Sequence, residues 1–402
     1  MNYNRLLFLA VACTAMYFVF QAVKFYNYEW DYKFRLQNNS ATPIIGEPFD
    51  IIPHTFGNPD TYFHCPTTIA AANGDLLVAS GQGRVHGVGN IVQARSTDGG
   101  ASWNYEGVIY DHSKRKPSES AYGTTFARAP DGSLILLVQT TNPELIREAE
   151  AKDLTLGGEQ FAGCVYLVSD DHGKSYVYKG YLDPESPHYV EGSTSNILTH
   201  NGTLYLVAPS FYAGVLLYTS EDNGETWQRR SAVFPSPVAP REWEPDVYTA
   251  VMRYPTFTFL PDGSIYVLAL AYLPDGEEKN YSRVSVDGGK SWGPVRLVEG
   301  ISVRCPVLHW VGDTLVLHGR YTPDQDIIMH SSNDQGMTWS PRQIIQDYDT
   351  DGGYSSSVNL DGKSFVAFST DKGEQVLPRD HPQYEAKKIC GIQGVFLYPS
   401  KE

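Results

Sequence analysis

The chain has little of what marks several common protein classes. Its 402 residues carry 31 Lys and Arg against 46 Asp and Glu, which gives a net charge of −15. This balance leaves no basic footprint for a nucleic-acid partner. The five cysteines have no metal-ligand spacing, so neither a metal nor another cofactor is predicted. Long apolar runs with a helical period are scarce after Val23, which argues against a mainly helical protein.

One long apolar run is present, at the N-terminus. Leu6 to Val23 is about 18 residues long, near the lower limit for a spanning helix, and Arg5 precedes it. The positive-inside rule then puts the N-terminus in the cytosol and predicts a type II single-pass membrane protein. We expect residues 1–5 to form a cytosolic tail, 6–23 a transmembrane signal anchor, 24–48 a stalk, and 49–402 an extracytoplasmic or luminal domain. A cleaved signal peptide ending near Ala12 is the alternative.

The composition of the remainder favours an all-β fold. Aromatic residues make up 13 % of the chain, and 36 glycines and 25 prolines supply turns. A box of the form S-x-D-x-G-x-x-W/Y occurs five times, starting at Ser96, Ser169, Ser220, Ser285 and Ser332. The Asp side chain caps backbone donors in a tight hairpin, and Gly adopts the positive φ of the turn. Five copies indicate a repeat architecture.

A second repeat alternates with the first. Six apolar runs are each broken by a hairpin turn, with the turn glycines at Gly74, Gly132, Gly202, Gly263, Gly312 and Gly362. Each of the first five hairpins is followed by one box. One unit therefore supplies an inner and an outer hairpin, which together make a four-stranded blade. Six such blades predict a six-bladed β-propeller.

Closing a propeller brings the first strand of every blade to one axis. Counting back from each turn glycine reaches His64, Tyr122, Arg253, Arg304 and Tyr354 in five blades, and in the third blade it reaches Gly192, beside Glu191. Three of them open basic-x-Pro triplets. Several cations at one mouth need an anion to neutralise them, and each arginine can bind a carboxylate through two hydrogen bonds. The pattern therefore predicts a pocket for an anionic ligand, and a purely structural cluster is the alternative.

The same residues suggest a reaction. A carboxylate on the reacting anomeric carbon of a sugar would repel a charged nucleophile such as Asp. A neutral tyrosine avoids this repulsion, and a neighbouring glutamate can take its proton, which is the sialidase exception to the two-carboxylate rule of glycosidases. Tyr354 and Glu191 fit these two roles.

The five boxes resemble the Asp-boxes of the sialidase (neuraminidase) superfamily, and residues 49–398 resemble its six-bladed propeller. The resemblance implies that Arg253 and Arg304 hold the carboxylate of sialic acid, that Tyr354 attacks, and that Glu191 activates it. Glu242 and Glu244 are alternatives for this glutamate. Tyr122 and His64 would line the substrate pocket, as would Arg320, which follows Gly319 in a pair similar to bacterial sialidase-family proteins.

Two departures from the family pattern concern the first blade. The triplet that carries a carboxylate-binding arginine in sialidases begins here with His64. The loop from Gly81 to Asn90, where the family has its acid/base aspartate, contains no carboxylate. Arg84 could restore the lost cation, and His86 could serve as proton donor near neutral pH.

Three functions remain open from the sequence. The first is an exo-glycosidase that removes a terminal acidic sugar, sialic acid or a related ulosonic acid, from acidic glycans or sialoglycoconjugates. The second is a catalytically inactive propeller that binds such glycans. The third is a lyase on uronic-acid polysaccharides that uses Tyr354 with His64 or His86 for proton transfer. The absent aspartate favours the last two, and the order of Arg253, Arg304 and Tyr354 favours the first.

Overall fold

The computed structural model describes residues 42–53, 62–85, 88–116, 119–142, 144, 161–183, 196–210, 214–235, 251–273, 276–321, 326–347, 354–371 and 390–400. These residues form six antiparallel sheets arranged as the blades of a propeller. The prediction of an all-β six-bladed propeller is therefore confirmed.

The blades follow one another along the chain. Blade one contains β3 (Tyr62–Ala70), β4 (Leu76–Val85), β5 (Val88–Ser96) and β6 (Asn104–Tyr110), and the 3-10 helix His112–Lys114 follows it. Blade two contains β7 (Ser120–Arg128), β8 (Leu134–Thr141), β9 (Phe161–Ser169) and β10 (Val177–Tyr181). Blade three contains β11 (Asn196–His200), β12 (Thr203–Ser210), β13 (Gly214–Ser220) and β14 (Gln228–Pro235).

The second half repeats this order. Blade four contains β15 (Val251–Phe259), β16 (Ile265–Tyr272), β17 (Glu278–Ser285) and β18 (Arg296–Leu297). Blade five contains β19 (Arg304–Val311), β20 (Thr314–Arg320), β21 (Ile327–Ser332) and β22 (Gln343–Gln346). Blade six contains β23 (Ser355–Leu360), β24 (Lys363–Asp371) and β25 (Cys390–Tyr398), and its outer edge is formed by β1 (Ile44–Ile45) and β2 (Phe49–Ile52).

The ring is closed by the N-terminal strands. Ile44 pairs with Tyr398 and Phe49 with Gly394, both antiparallel, so the beginning and the end of the domain share one sheet. The sequence assignment of residues 24–48 to a stalk extends too far, because Ile44–Ile45 is a strand of blade six. Among the residues that the structure describes, no helix is long and apolar enough to cross a membrane. The predicted anchor, residues 6–23, lies outside them.

Each box is both a turn and a joint between blades. In the first box the carboxylate of Asp98 accepts hydrogen bonds from the Ser96 hydroxyl at 2.7 Å and from the backbone N–H of Ser102 at 2.9 Å. The other four boxes repeat this pair of bonds. Gly100 has φ +95° and lies against Phe396 of blade six, where a Cβ atom would approach the ring to 2.6 Å. Glycine is therefore required both for the turn and for the close contact.

Among the described residues, the hydrophobic core forms six clusters, one between each pair of neighbouring blades. Side chains of the inner strands add hydrogen bonds between blades around the axis. The hydroxyl of Thr67 accepts from the backbone N–H of Phe126 at 2.9 Å, and the hydroxyl of Thr256 accepts from Leu308 at 2.9 Å. These bonds fix the inner strands relative to one another, and with them the wall of the axial site.

Candidate functional site at the propeller axis

The inner strands of all six blades line a cavity of about 300 Å³ on the axis. Its wall is rich in hydroxyl groups, including those of Thr67, Thr125, Thr256 and Ser356. None of the described lining residues is charged. Tyr354 also lines this cavity, so its ring lies where the neutral cavity meets the cationic residues described next.

The three basic-x-Pro triplets share one backbone distortion. The middle residues, Cys65, Tyr254 and Cys305, have φ of 48°, 49° and 52°. In each case the pairing register with the next strand shifts across the triplet, as in a β-bulge. A positive φ is uncommon for residues other than glycine, and strain of this kind tends to persist at functional sites. The bulges place His64, Arg253 and Arg304 at equivalent positions in three inner strands.

Arg304 is held by a carboxylate of the neighbouring blade. Its guanidinium donates to both oxygens of Glu278, and its Cζ lies 5.6 Å from the centre of the Tyr272 ring. Burial works to lower the pKa of Arg304, but the hydrogen bond and the attraction to Glu278 outweigh it and raise the pKa. Arg304 is therefore always charged, and its charge is largely balanced within the protein.

Asn280 holds the backbone of Val303, the residue that precedes this arginine. Its side-chain amide donates to the carbonyl of Val303 at 3.0 Å, and its oxygen accepts from the N–H of Val303 at 2.7 Å. Glu278 and Asn280 are two residues apart on β17, so their side chains lie on the same face of the strand. Together they hold Arg304 and the residue before it.

Arg320 supplies a second cation beside the first. It is 5 % exposed, its Cα is paired with that of Arg304, and its charge opposes the rise in the pKa of Arg304. Its Cζ lies 5.8 Å from the centre of the Tyr354 ring, within the range of a cation–π interaction. A desolvated cation of this kind favours an anionic ligand at the same place.

Tyr354 is half-buried and immediately precedes β23. Its backbone N–H donates to the hydroxyl of Ser369 at 3.3 Å, and its carbonyl accepts from the N–H of Ser369 at 3.0 Å. Burial raises the pKa of Tyr354 well above its usual range, and the nearby phenols of Tyr122 and Tyr254 add to this effect. The phenol is therefore neutral at any physiological pH.

His64 occupies the position of the arginine expected from the family pattern. It is buried, and its ring lies edge-on to the ring of Tyr122, with 6.0 Å between the centroids. Gly81 is paired with His64, and a Cβ atom there would come within 2.6 Å of the imidazole. The glycine therefore provides the space that the histidine ring fills.

The structure brings together most of the predicted axial residues that it describes: His64, Tyr122, Arg304, Arg320 and Tyr354. Arg253 occupies the equivalent place on blade four and is half-buried. Glu191 and His86 lie outside the described residues, as do Glu242 and Glu244. The backbone of Arg84 belongs to β4, but its side chain is outside the description.

Sequence reasoning missed Tyr272 and Glu278, which contact Arg304 from blade four. Tyr272 ends the second strand of that blade, and Glu278 begins the third. The two residues face each other as a register pair. The sequence count considered only the first strand of each blade. A count of the ends of the second and third strands, which return to the same mouth, would have found this pair.

Comparison with known proteins agrees with this architecture. A family model described as a BNR repeat-like domain matches residues 211–381. A sialidase of Paraclostridium sordellii is 24 % identical over 254 residues, covering 58 % of this chain, and the match spans 57 % of that protein. The chain thus spans little more than half the length of this curated relative.

Solved structures show the same fold. A protein of unknown function from Dyadobacter fermentans is 18 % identical with a TM-score of 0.64, over 90 % of this chain and 100 % of that one. The NanB sialidase from Streptococcus pneumoniae has a TM-score of 0.59 at 15 % identity, over 88 % and 71 %. The alpha-L-arabinanase of Penicillium chrysogenum has a TM-score of 0.57 at 14 % identity, over 88 % and 98 %.

The six-bladed ring is the fold that this chain shares with the NanB sialidase and the arabinanase. The chain is a sialidase-like BNR-repeat propeller.

Proposed function

We propose that the protein is a sialidase-like exo-glycosidase that removes a terminal acidic sugar, sialic acid or a related ulosonic acid, from glycans. The contact of Arg320 with Tyr354 beside Arg304 supports this proposal most directly. It puts a desolvated cation next to a neutral phenol at the mouth of the axial cavity. An acidic sugar bound there brings its carboxylate and its anomeric carbon to these two groups together.

Charge explains why both groups are needed. Arg304 is already paired with Glu278, so the pair attracts an anion only weakly. Arg320 is buried beside Arg304 and over the ring of Tyr354, so a ligand carboxylate at this place would be attracted by two neighbouring guanidinium groups. Because Tyr354 stays neutral, it does not repel that carboxylate, as an aspartate would. This combination favours an acidic substrate over a neutral one.

The proposed reaction retains the configuration of the sugar. Tyr354 Oη attacks the anomeric carbon and loses its proton to Glu191, while the bond to the leaving oxygen breaks. His86 gives a proton to that oxygen. Water then attacks the anomeric carbon and gives one proton to His86, while the bond to Tyr354 breaks and its oxygen takes the proton back from Glu191. The role of Glu191 follows from the family resemblance, and His86 is assigned because it lies in the loop where the family has its acid/base aspartate.

The comparisons support a glycosidase more strongly than a particular sugar. The Paraclostridium sordellii protein and NanB are called sialidases, whereas the third of these proteins has the same fold and is called an arabinanase. One observation favours a glycan-binding propeller instead: none of the described residues that line the cavity has a carboxylate. Turnover distinguishes the two functions.

The test is release from a fluorogenic sialoside by the full chain between pH 4 and 8. We expect Tyr354→Phe to abolish release and the matched control Tyr398→Phe, at an exposed tyrosine of β25, to leave it unchanged. Equal rates for wild type and Tyr354→Phe would exclude the proposed nucleophile. Binding of the free acid without release by the wild type would support the glycan-binding alternative.

A binding measurement tests the cation independently of chemistry. Arg320→Met is expected to weaken binding of the free acidic sugar by roughly 2–5 kcal/mol, the usual cost of truncating one partner of a buried charge pair. The carboxamide analogue of the sugar should bind the wild type as weakly as the acid binds the variant. Equal affinity of the wild type for acid and carboxamide would exclude recognition of the carboxylate.

We also propose that residues 6–23 anchor the protein, with the propeller outside the cytosol where glycans carry terminal acidic sugars. Protease treatment of sealed cells or vesicles tests this topology. Digestion of the propeller from the cytosolic side alone would contradict it.

A further inference from the structure

A buried histidine next to the axial site contacts the residue that follows Tyr354. His318 is fully buried on β20, and its Nδ1 shares a hydrogen bond of 2.9 Å with the hydroxyl of Ser355. Ser355 is the first residue of β23, on the neighbouring blade. This bond therefore ties the beginning of the inner strand of blade six to blade five.

The same strand carries the cation of the site. His318 and Arg320 are two residues apart on β20, and the pairing with β21 is regular through both, so their side chains lie on one face. Arg320 lies over the ring of Tyr354. One face of β20 thus makes two adjacent contacts with blade six, to Tyr354 and to Ser355.

A second histidine restricts the ring of His318. The ring of His309 lies edge-on to it, with 5.0 Å between the centroids, and His309 is itself buried on β19. Burial lowers the pKa of His309 to about 3 and holds the pKa of His318 well below its usual range. Both rings are neutral at working pH, so the bond to Ser355 is present throughout that range.

Tyr354 itself lies just outside the regular part of the strand. Its backbone is bonded to Ser369 of β24, which fixes one side of the residue. The bond from His318 to Ser355 fixes the following residue from blade five. A phenol that must stay in line with an anomeric carbon needs both constraints, because a displacement of about 1 Å can cost about 100-fold in rate.

We infer that His318 is a positioning residue, which acts through Ser355 to hold the phenol of Tyr354 beneath Arg320. It touches neither the substrate nor the reacting atoms. The inference rests on the proposed function only for its kinetic consequence, because the position of the phenol can be measured without turnover.

Four variants test the inference in the full chain. His318→Leu removes the bond and retains much of the volume, and Ser355→Ala removes only the hydroxyl. His318→Asn keeps a polar group near the position of Nδ1 and should restore much of the lost activity. His330→Leu is the matched control, since His330 is a buried histidine of the same blade whose Nδ1 bonds the carbonyl of Ser340 at 2.8 Å.

The kinetic readout separates positioning from general loss of stability. We expect kcat to fall by about 10- to 100-fold in His318→Leu and Ser355→Ala, with KM near the wild-type value because Arg320 remains. His330→Leu should lower the melting temperature without changing kcat at a temperature where it is folded. If His318→Leu and Ser355→Ala retain wild-type kcat, or if His330→Leu loses as much, the inference is wrong. Should His318→Leu fail to fold, Ser355→Ala decides.

The second readout needs no activity. Nitration of Tyr354 by tetranitromethane, followed by peptide mass spectrometry, reports the exposure of its ring, with the exposed Tyr398 as internal reference. We expect faster nitration of Tyr354 in Ser355→Ala than in the wild type and no change in His330→Leu. Equal nitration in all three would overturn the inference even if the wild type shows no turnover. Altered nitration without wild-type turnover would instead refute the glycosidase proposal alone.

Discussion

Replacement of Asn280 should destabilise the propeller more than replacement of an exposed residue. Asn280 and Val303 are both 0 % exposed, and the asparagine amide satisfies both backbone groups of Val303. Asn280→Leu preserves the volume but leaves one N–H and one C=O buried without their partner. Each such group costs about 1–3 kcal/mol, so the free energy of unfolding should fall by about 2–6 kcal/mol.

The assay is urea unfolding followed by tryptophan fluorescence, with reversibility established first. The m-value should stay unchanged if only the stability of the native state is affected. Asn104→Leu, at an exposed asparagine of β6, is the matched control and should change stability by less than about 0.5 kcal/mol. A loss for Asn280→Leu no larger than that of the control would refute the hydrogen-bond argument.

Asn280 also bears on the site, because Val303 precedes Arg304. With the amide removed, we expect weaker binding of an acidic sugar as well as lower stability. The triplet Asn280-Tyr281-Ser282 reads in the sequence as a glycosylation acceptor. Burial and hydrogen bonding of the side chain in the folded protein assign it to the positioning of Arg304 instead.

Two further predictions concern the boxes and the first blade. Partial burial works to raise the pKa of Asp171, but hydrogen bonds from Ser175 and Ser169 outweigh it and lower the pKa from 3.8 to about 2. The stability this group contributes is present above about pH 3.8 and is lost as the pH falls towards 2. Acid unfolding of Asp171→Asn should therefore depend less on pH in that interval, and an unchanged slope would contradict the reasoning. Gly81→Ala places a methyl group against the His64 ring and should cost about 1–3 kcal/mol. The cost should largely disappear in the His64→Ala background, and an undiminished cost there would exclude the proposed clash.

The blades could be predicted because their signals are local. Turn glycines and the Asp–Ser bonds of each box are set by residues a few positions apart, so a sequence pattern records them directly. The position of Arg304 and Tyr354 at one axis followed from the repeat and from counting within each blade. The structure adds that the boxes also join blades, as Gly100 does against Phe396.

Pairing between strands that lie far apart in the chain could not be predicted from such local patterns. The strands β1 and β2 pair with β25 at the other end of the domain, and nothing local in Ile44–Ile45 indicates a partner there. The contact of Glu278 with Arg304 joins two blades and likewise depends on the assembled ring. Cys65 has a positive φ in its bulge, which residues other than glycine rarely adopt. Residue propensities alone would therefore not predict this bulge.

The most direct test of the proposed chemistry is the covalent intermediate. Reaction of the full chain with a fluorogenic sialoside would be quenched by acid during turnover and mapped by peptide mass spectrometry. The proposed mechanism predicts the added mass of the acidic sugar on the peptide containing Tyr354, and no such adduct in Tyr354→Phe. An adduct on another residue, or turnover that persists in Tyr354→Phe, would contradict it.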